Sequence, residues 1–102
     1  MMKTLVIRIH FEMKRNIKRE SSSLRIIYKW ANRVFPSGYT VYKTKGVWNG
    51  KAGDSFTVER YEKDVKLAKN KKFLKEVKNL AEDLKQKEII VTYFTADMVI
   101  VK

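Results

Sequence analysis

The sequence contains no cysteine, a single histidine and a single proline among its 102 residues. The absence of cysteine excludes a disulfide framework, a thiol nucleophile and every thiolate metal site. The histidine, His10, lies in a β-type segment without a second imidazole nearby, so we expect a partly exposed strand residue, no metal and no cofactor. No run of about twenty apolar residues occurs, so we expect no membrane span.

Catalytic motifs are also missing. The chain has no Gly-x-Ser-x-Gly or HExxH motif and no paired glycines in a phosphate-binding loop. Glu59 and Glu62 are candidates for acid–base chemistry, but their spacing does not aim both at one point, and pairing with nearby lysines is the simpler role. We therefore expect a protein that is not an enzyme. A small basic nuclease stays open, because small RNA-cleaving toxins work with lysine, arginine and tyrosine.

Hydrophobic periodicity predicts four strands and two helices. Short β-branched segments predict strands at residues 5–11, 39–48, 55–61 and 89–101. Apolar stripes of helical period predict one helix after the serines at 21–23, which offer N-cap oxygens, and a second over residues 71–87. Residues 12–20 lack a clear period and are expected to form a loop. Asn49-Gly50 predicts a two-residue hairpin turn.

The order β-α-β-β-α-β predicts an α+β fold in a single domain, residues 1–102. We expect a ferredoxin-like antiparallel sheet with both helices on one face. In that arrangement the second and fourth strands are the sheet edges. The alternation in the first strand places four apolar side chains on one face of the sheet: Leu5, Ile7, Ile9 and Phe11.

The two halves of the sequence, residues 1–50 and 51–102, share the same element order. A shift of fifty residues superimposes apolar positions: Leu24 on Leu74, Ile27 on Val77, Ala31 on Ala81, Val34 on Leu84, Val6 on Phe56, Phe11 on Tyr61 and Val41 on Val91. One further slip places Tyr42 on Tyr93 and Thr44 on Thr95. We interpret the halves as similar β-α-β units, although any chain with this element order gives comparable alignments. A seam between such units is a natural binding groove.

Positive charge is concentrated in the first half. Residues 1–50 carry eleven basic and two acidic side chains, and residues 51–102 carry twelve and nine, for a net charge of +12. Seven of these cations form a candidate basic patch: Lys14, Arg15, Lys18, Arg19, Arg25, Lys29 and Arg33. Such a patch is typical either of a nucleic-acid footprint or of a solvated surface. Because no RNA-recognition signature or helix-turn-helix is present, nucleic-acid binding is our alternative hypothesis.

Aromatic residues are more numerous than a core of this size accommodates. Half-exposed tyrosine and tryptophan side chains are common anchors of protein interfaces, and edge strands offer unpaired backbone groups. Our main hypothesis is therefore a non-catalytic module that binds a protein or an extended peptide in the groove between the units. A homodimer through an edge strand is a further option. The candidate anchors are Tyr28, Trp30, Tyr42, Trp48 and Tyr93.

Three segments, MMKTLVIRIHF, VFPSGYTVY and VTYFTADMVIVK, mark a resemblance that extends over the full chain. The chain resembles the small orphan proteins of archaeal filamentous viruses from hot acid springs, of the Acidianus filamentous virus type. The resemblance implies a viral product in the cytoplasm of the host cell, with a viral or host partner. It carries over no site residue, because these segments are not functional motifs. Abundant Lys, Glu, Val and Ile and a single glutamine suit a hyperthermophile, or an AT-rich genome.

Overall fold

The structure, a computed structural model, describes residues 2–12 and 17–102, and the side chains of residues 17–21 and of Trp48 lie outside this description. The main elements are β1 (Met2–Glu12), α1 (Ile17–Val34), β2 (Thr40–Trp48), β3 (Lys51–Glu62), α2 (Lys71–Asp83) and β4 (Ile90–Met98). A single turn of 3-10 helix, Leu67–Lys69, lies between β3 and α2. The element order matches the one that periodicity predicts.

The four strands form one antiparallel sheet in the order β2-β3-β1-β4. Ile7 and Ile9 of β1 share a core cluster with Ile27 of α1 and Leu80 of α2, so both helices cover the same face. The predicted ferredoxin-like α+β fold is therefore confirmed, with β2 and β4 as the edges. Because side chains alternate along a strand, the predicted inward face of β1 is buried as expected.

The face of the sheet turned away from the two helices is called the open face below. Its side chains alternate with those of the core along every strand. The open face includes Val6, Arg8 and His10 of β1, Tyr42 of β2, Thr57, Glu59 and Tyr61 of β3, and Thr92 and Phe94 of β4. It brings together residues that are far apart in the sequence, and it is central to the candidate site.

The start of α1 differs from the sequence-based expectation. The helix begins at Ile17, so the serines at 21–23 lie inside it and do not cap it, and the expectation of a loop is wrong for residues 17–20. The residues at 18–20 are lysine, arginine and glutamate, which have high helix propensity. They extend the helix without any need for an apolar stripe. In β4, residues 95–97 stay paired with β1 and do not split the strand.

The hairpin between β2 and β3 is confirmed. Asn49 and Gly50 both have positive φ angles, 51° and 77°, and Trp48 pairs with Lys51. Two consecutive residues in this region define the tight turn that fits the twist of antiparallel strands. The turn thereby sets the register of β2 against β3.

The register shows how the two units are related. Ile9 pairs with Val91, and Val58 pairs with Val41. The buried residues Ile9 and Val58 are an odd number of positions apart, so an odd shift relates β1 to β3, and the two registers require the shift from β2 to β4 to be one residue longer. A one-residue error reverses the face of a strand, so Val6, on the open face, is not equivalent to Phe56, which lies in the core.

The same reasoning separates Tyr42, on the open face, from Tyr93, which pairs with Ile7 on the helix side. In the helices the fifty-residue shift does relate like positions, since Ile27 and Val77 are both buried. The strands of the two units alternate in the sheet. The units therefore interleave and do not lie side by side.

The end of α2 supplies a stability prediction. Lys85 has φ of 56°, and the N–H groups of Lys85 and Gln86 donate to the carbonyls of Glu82 and Ala81 at 3.0 and 2.9 Å. This is a Schellman motif with lysine at the position that glycine favours. We expect Lys85→Gly to raise the free energy of unfolding by about 1 kcal/mol. Urea denaturation measures it, and the control Lys75→Gly should cost about 1 kcal/mol. A loss of stability in Lys85→Gly would contradict the motif.

Candidate functional site

The five aromatic residues predicted as interaction anchors lie in different parts of the molecule. Tyr28 on α1 and Tyr93 on β4 are exposed on the helix side of the sheet. Tyr42 is half-buried on the open face. The side chain of Trp48 lies outside the described residues. The four anchors with described side chains therefore do not form one surface.

Trp30 is wrong as an exposed anchor. Its side chain is 5% exposed, whereas that of Tyr28 is 46% exposed. The indole Nε1 donates to the backbone carbonyl of Glu76 in α2 at 3.1 Å, and the ring meets Phe35 edge-on at 5.8 Å between centroids. An indole fills a wide space between helices and can satisfy its single donor on a carbonyl. The side of α1 that carries Trp30 therefore packs against α2, and the indole belongs to the core.

The predicted basic patch is described only in part. Four of its members have side chains that lie outside the described residues: Lys14, Arg15, Lys18 and Arg19. Arg25 and Lys29 are exposed on α1. The guanidinium of Arg33 donates to both carboxylate oxygens of Glu76, at 3.2 and 2.7 Å, which neutralises this cation. Binding of nucleic acid by the patch stays a prediction.

A depression of about 910 Å³ lies between the N-terminal half of α1 and the C-terminal end of α2. It corresponds to the predicted groove between the units on the helix side of the sheet. Eight of its ten lining residues have polar or charged side chains, and no predicted anchor lines it. The lining consists of Glu12, Ser22, Ser23, Ile26 and residues 83–88. The structure therefore does not combine the predicted groove with the predicted anchors.

The two edge strands differ in charge. β2 carries Lys43 and Lys45 and contains a glycine, Gly46. β4 has no charged side chain from Ile90 to Ala96. Charged side chains and irregularities on an edge strand discourage pairing with another chain. β4 is therefore the edge that is open to strand addition.

A polar network on the open face is centred on Glu59. Its carboxylate accepts hydrogen bonds from Arg8 Nε at 2.7 Å, from the Tyr61 hydroxyl at 3.1 Å and from the Tyr42 hydroxyl at 3.2 Å. Arg8 lies opposite Glu59 on the neighbouring strand, so register alone places the pair together. The network connects β1, β2 and β3 and holds four long side chains in fixed positions.

The network keeps Glu59 ionised. The hydrogen bond from Arg8 lowers the pKa of Glu59 more than partial burial raises it, and the two tyrosine hydroxyls lower it further. Burial raises the pKa of Tyr42, and the hydrogen bond to Glu59 raises the pKa of Tyr61. The carboxylate is thus a charged acceptor, and the two phenols remain neutral donors at neutral pH.

His10 is held on the open face by two threonines. Its Nδ1 lies 3.2 Å from the Thr57 hydroxyl and its Nε2 lies 3.0 Å from the Thr92 hydroxyl. Burial lowers the pKa of His10, and the positive charge of Arg8 lowers it further. The imidazole is therefore neutral at pH 7 and bridges β3 and β4 across β1. It is half-buried, as the sequence predicts.

The two candidate acid–base glutamates, Glu59 and Glu62, point to different faces of the sheet. Glu59 lies on the open face, while Glu62 contacts Arg60 Nε at 3.4 Å. The expectation that they do not converge is confirmed, but their cationic partners are arginines and not lysines. Arg60 also donates to the carbonyl of Gly38 at 2.9 Å, which ties β3 to the segment before β2.

Two exposed aromatic residues of the open face, Tyr61 and Phe94, were not predicted as site residues. Together with Arg8 they line a second depression of about 420 Å³. The signal that would have found them is the alternation of side chains in β3 and β4, read together with the register of both strands on β1. Alternation alone assigns each residue to a face but does not place it beside its neighbours.

No protein-family model and no curated protein matches the sequence. The chain is similar to a phage SAM lyase in complex with S-methyl-5′-thioadenosine (18% identity, TM-score 0.56), over 89% of this chain and 80% of that one. For a phage SAM lyase in the apo state the identity is 15% and the TM-score 0.51, over 98% and 94%. A PII-like signaling protein from Thermus thermophilus follows with 15% and 0.45, over 93% and 87%. At these identities the likeness shows the fold alone.

Neither helix in the described part of the chain is long and apolar enough to cross a membrane. Within residues 2–12 and 17–102, no three His, Asp or Glu side chains come together as metal ligands.

Proposed function

We propose that the chain is a non-catalytic interaction module that binds an extended segment of a partner protein along β4. The observation that supports this function is the uncharged edge from Ile90 to Ala96, opposite an edge protected by Lys43 and Lys45. The β4 edge replaces the groove between the units as the binding site. The helix-side depression has no predicted anchor in its walls.

An added strand would pair with the backbone of β4 and contact side chains on both faces of the sheet. Tyr93 is exposed on the helix side, and Ile90 and Phe94 are exposed on the open face. In strand addition, backbone hydrogen bonds supply affinity and alternate side chains supply selectivity. We expect an apolar, β-branched segment. The resemblance to viral proteins supports a viral or host protein in the host cytoplasm as its source.

The state of Glu59 supports a role without catalysis. Its carboxylate already accepts three hydrogen bonds, and its pKa is lowered, whereas a general base works best with a pKa near 7. A phage SAM lyase has the same fold. We expect no turnover when this chain is incubated with SAM. If a product forms from SAM, the chain is an enzyme and the proposal of a non-catalytic module is wrong.

The test adds charge to the proposed edge. Peptides selected from a random library against the wild-type chain should bind the double variant Tyr93→Lys/Thr95→Lys at least tenfold more weakly, about 1.4 kcal/mol. Both positions lie on β4 and are exposed. The matched control is Tyr28→Lys, which alters an equally exposed tyrosine on α1. Equal losses in the two variants would contradict the proposal.

Amide hydrogen exchange then locates the bound segment. Binding should slow exchange at β4 amides that do not pair with β1, and it should leave β2 unchanged. Protection of β2 or α1 in place of β4 would overturn the assignment. Self-association of the wild-type chain that disappears in Tyr93→Lys/Thr95→Lys would identify a second copy as the added segment, which is the edge-strand homodimer that the sequence suggests.

A further inference from the structure

Three side chains of the open face lie in one row across β3, β1 and β4. Val6 pairs with Tyr61 on one side and with Phe94 on the other. The Cα atoms of the two aromatic residues are therefore two strand spacings apart, about 10 Å. Val6 is 3% exposed, whereas Tyr61 and Phe94 are 54% and 45% exposed. Two exposed rings thus stand on either side of a small, covered residue.

A separation of two strand spacings leaves room for one planar group between the two side chains. A planar group that contacts a ring on each side needs about 7 Å between the ring planes, since aromatic contacts are about 3.5 Å. The floor of the depression is made of small side chains, Thr4, Val6 and Ala96, and its volume is about 420 Å³. Such a slot accommodates one flat ring system between Tyr61 and Phe94.

Arg8 closes one end of this slot. Its guanidinium carbon lies 5.2 Å from the centroid of the Phe94 ring, and its Nε donates to Glu59. The side chain is 42% exposed, and no hydrogen bond from its two terminal nitrogens to a described residue is found. Those nitrogens remain as donors at the edge of the depression. An arginine fork pairs with the acceptor edge of a base or with a phosphate.

The positive net charge of the chain favours planar ligands that carry negative charge. A net charge of +12 attracts anions over long range. We propose that the open face binds the base of a nucleotide, free or within a single-stranded nucleic acid, stacked between Tyr61 and Phe94 with Arg8 at its edge. Four-stranded sheets with exposed aromatic residues recognise unpaired bases in this way. The aromatic side chain of a peptide would fit the width but would leave the donors of Arg8 unused.

This site shares Phe94 with the proposed peptide edge but otherwise uses different residues. Tyr93 and Thr95 point to the helix side of β4, whereas Phe94 points to the open face. It also gives the nucleic-acid hypothesis a second location, because Tyr28 is the one exposed aromatic side chain beside the described patch residues Arg25, Lys29 and Arg33 on α1. A base-dependent affinity is expected from the open face, and a charge-dependent affinity is expected from α1.

The experiment compares a labelled ten-nucleotide oligo(dA) with an abasic oligomer of the same length and charge. The wild-type chain should bind oligo(dA) about tenfold more tightly than the abasic probe, because stacking requires the base. Phe94→Ala and Tyr61→Ala should each remove about tenfold of the affinity for oligo(dA). Tyr28→Ala, at an equally exposed tyrosine on α1, should leave it unchanged. Equal affinity for both probes would overturn the proposal.

A measurement on the wild-type chain avoids any loss of folding in the variants. A base held between Tyr61 and Phe94 presents its edge to Val6, so the methyl resonances of Val6 should shift on titration with oligo(dA) or AMP. A response to both ligands identifies a free nucleotide as a sufficient ligand, and a response to oligo(dA) alone identifies a single strand. Val6 methyl groups that do not respond to either ligand would overturn the site.

Discussion

Replacing Trp30 by alanine should lower the free energy of unfolding by about 4 kcal/mol, the range found for large aromatic residues removed from a core. The indole lies between α1 and α2 and is nearly inaccessible to solvent. Its removal leaves a cavity beside Phe35 and deletes the hydrogen bond to the carbonyl of Glu76. Because α1 and α2 meet at this point, the loss weakens the contact between the helices. Urea denaturation followed by circular dichroism measures the change.

Two variants make the Trp30 result specific. Trp30→Phe keeps a ring in the same space and loses the N–H donor, so it should cost clearly less than alanine, by an amount that includes about 1 kcal/mol for the hydrogen bond. Tyr28→Ala, two residues away on the exposed side of α1, should change stability by less than about 0.5 kcal/mol. If Trp30→Ala unfolds at the same urea concentration as the wild type, Trp30 is not a core residue.

The case of Trp30 shows why sequence periodicity predicts the fold better than the site. The stripe formed by Leu24, Ile27 and Ala31 determines which side of α1 is buried, and that prediction holds for Ile27 and Ala31. Periodicity places Tyr28 on that stripe and Trp30 at its edge, but in the structure Trp30 is buried and Tyr28 is exposed. That choice depends on where α2 packs against α1, and this packing is tertiary information.

The candidate site depends on register in the same way. Alternation assigns Arg8 and Glu59 to faces of their own strands, and both assignments are correct. Their contact requires that β1 and β3 pair with one particular offset, and an offset changed by one residue would place Glu59 on the helix side. The turn at Asn49-Gly50 fixes β2 on β3 but not β3 on β1. A single sequence therefore does not predict the network around Glu59, because it does not fix the offset between β1 and β3.

Replacing Glu59 by glutamine is expected to lower the free energy of unfolding by about 2 kcal/mol at pH 7. The substitution keeps the size of the side chain and removes the charge that accepts hydrogen bonds from Arg8, Tyr42 and Tyr61. Glu59 is only 14% exposed, so solvent does not fully screen the loss. Urea is the suitable denaturant, because guanidinium chloride would itself screen the ionic contact.

The pH dependence of this difference identifies the charge as its cause. The pKa of Glu59 is lower in the folded chain than the ordinary value of about 4.3, so its contribution is present above that value. It is lost as the pH falls through the folded-state pKa, where the wild-type carboxyl becomes neutral as well. The stability of the wild type and of Glu59→Gln should therefore converge as the pH is lowered from 7 to 3, because the carboxyl of the unfolded chain takes up its proton in that range. If the difference in unfolding free energy between the two proteins stays constant from pH 7 to pH 3, the effect comes from packing. That result would contradict an ionised network on the open face.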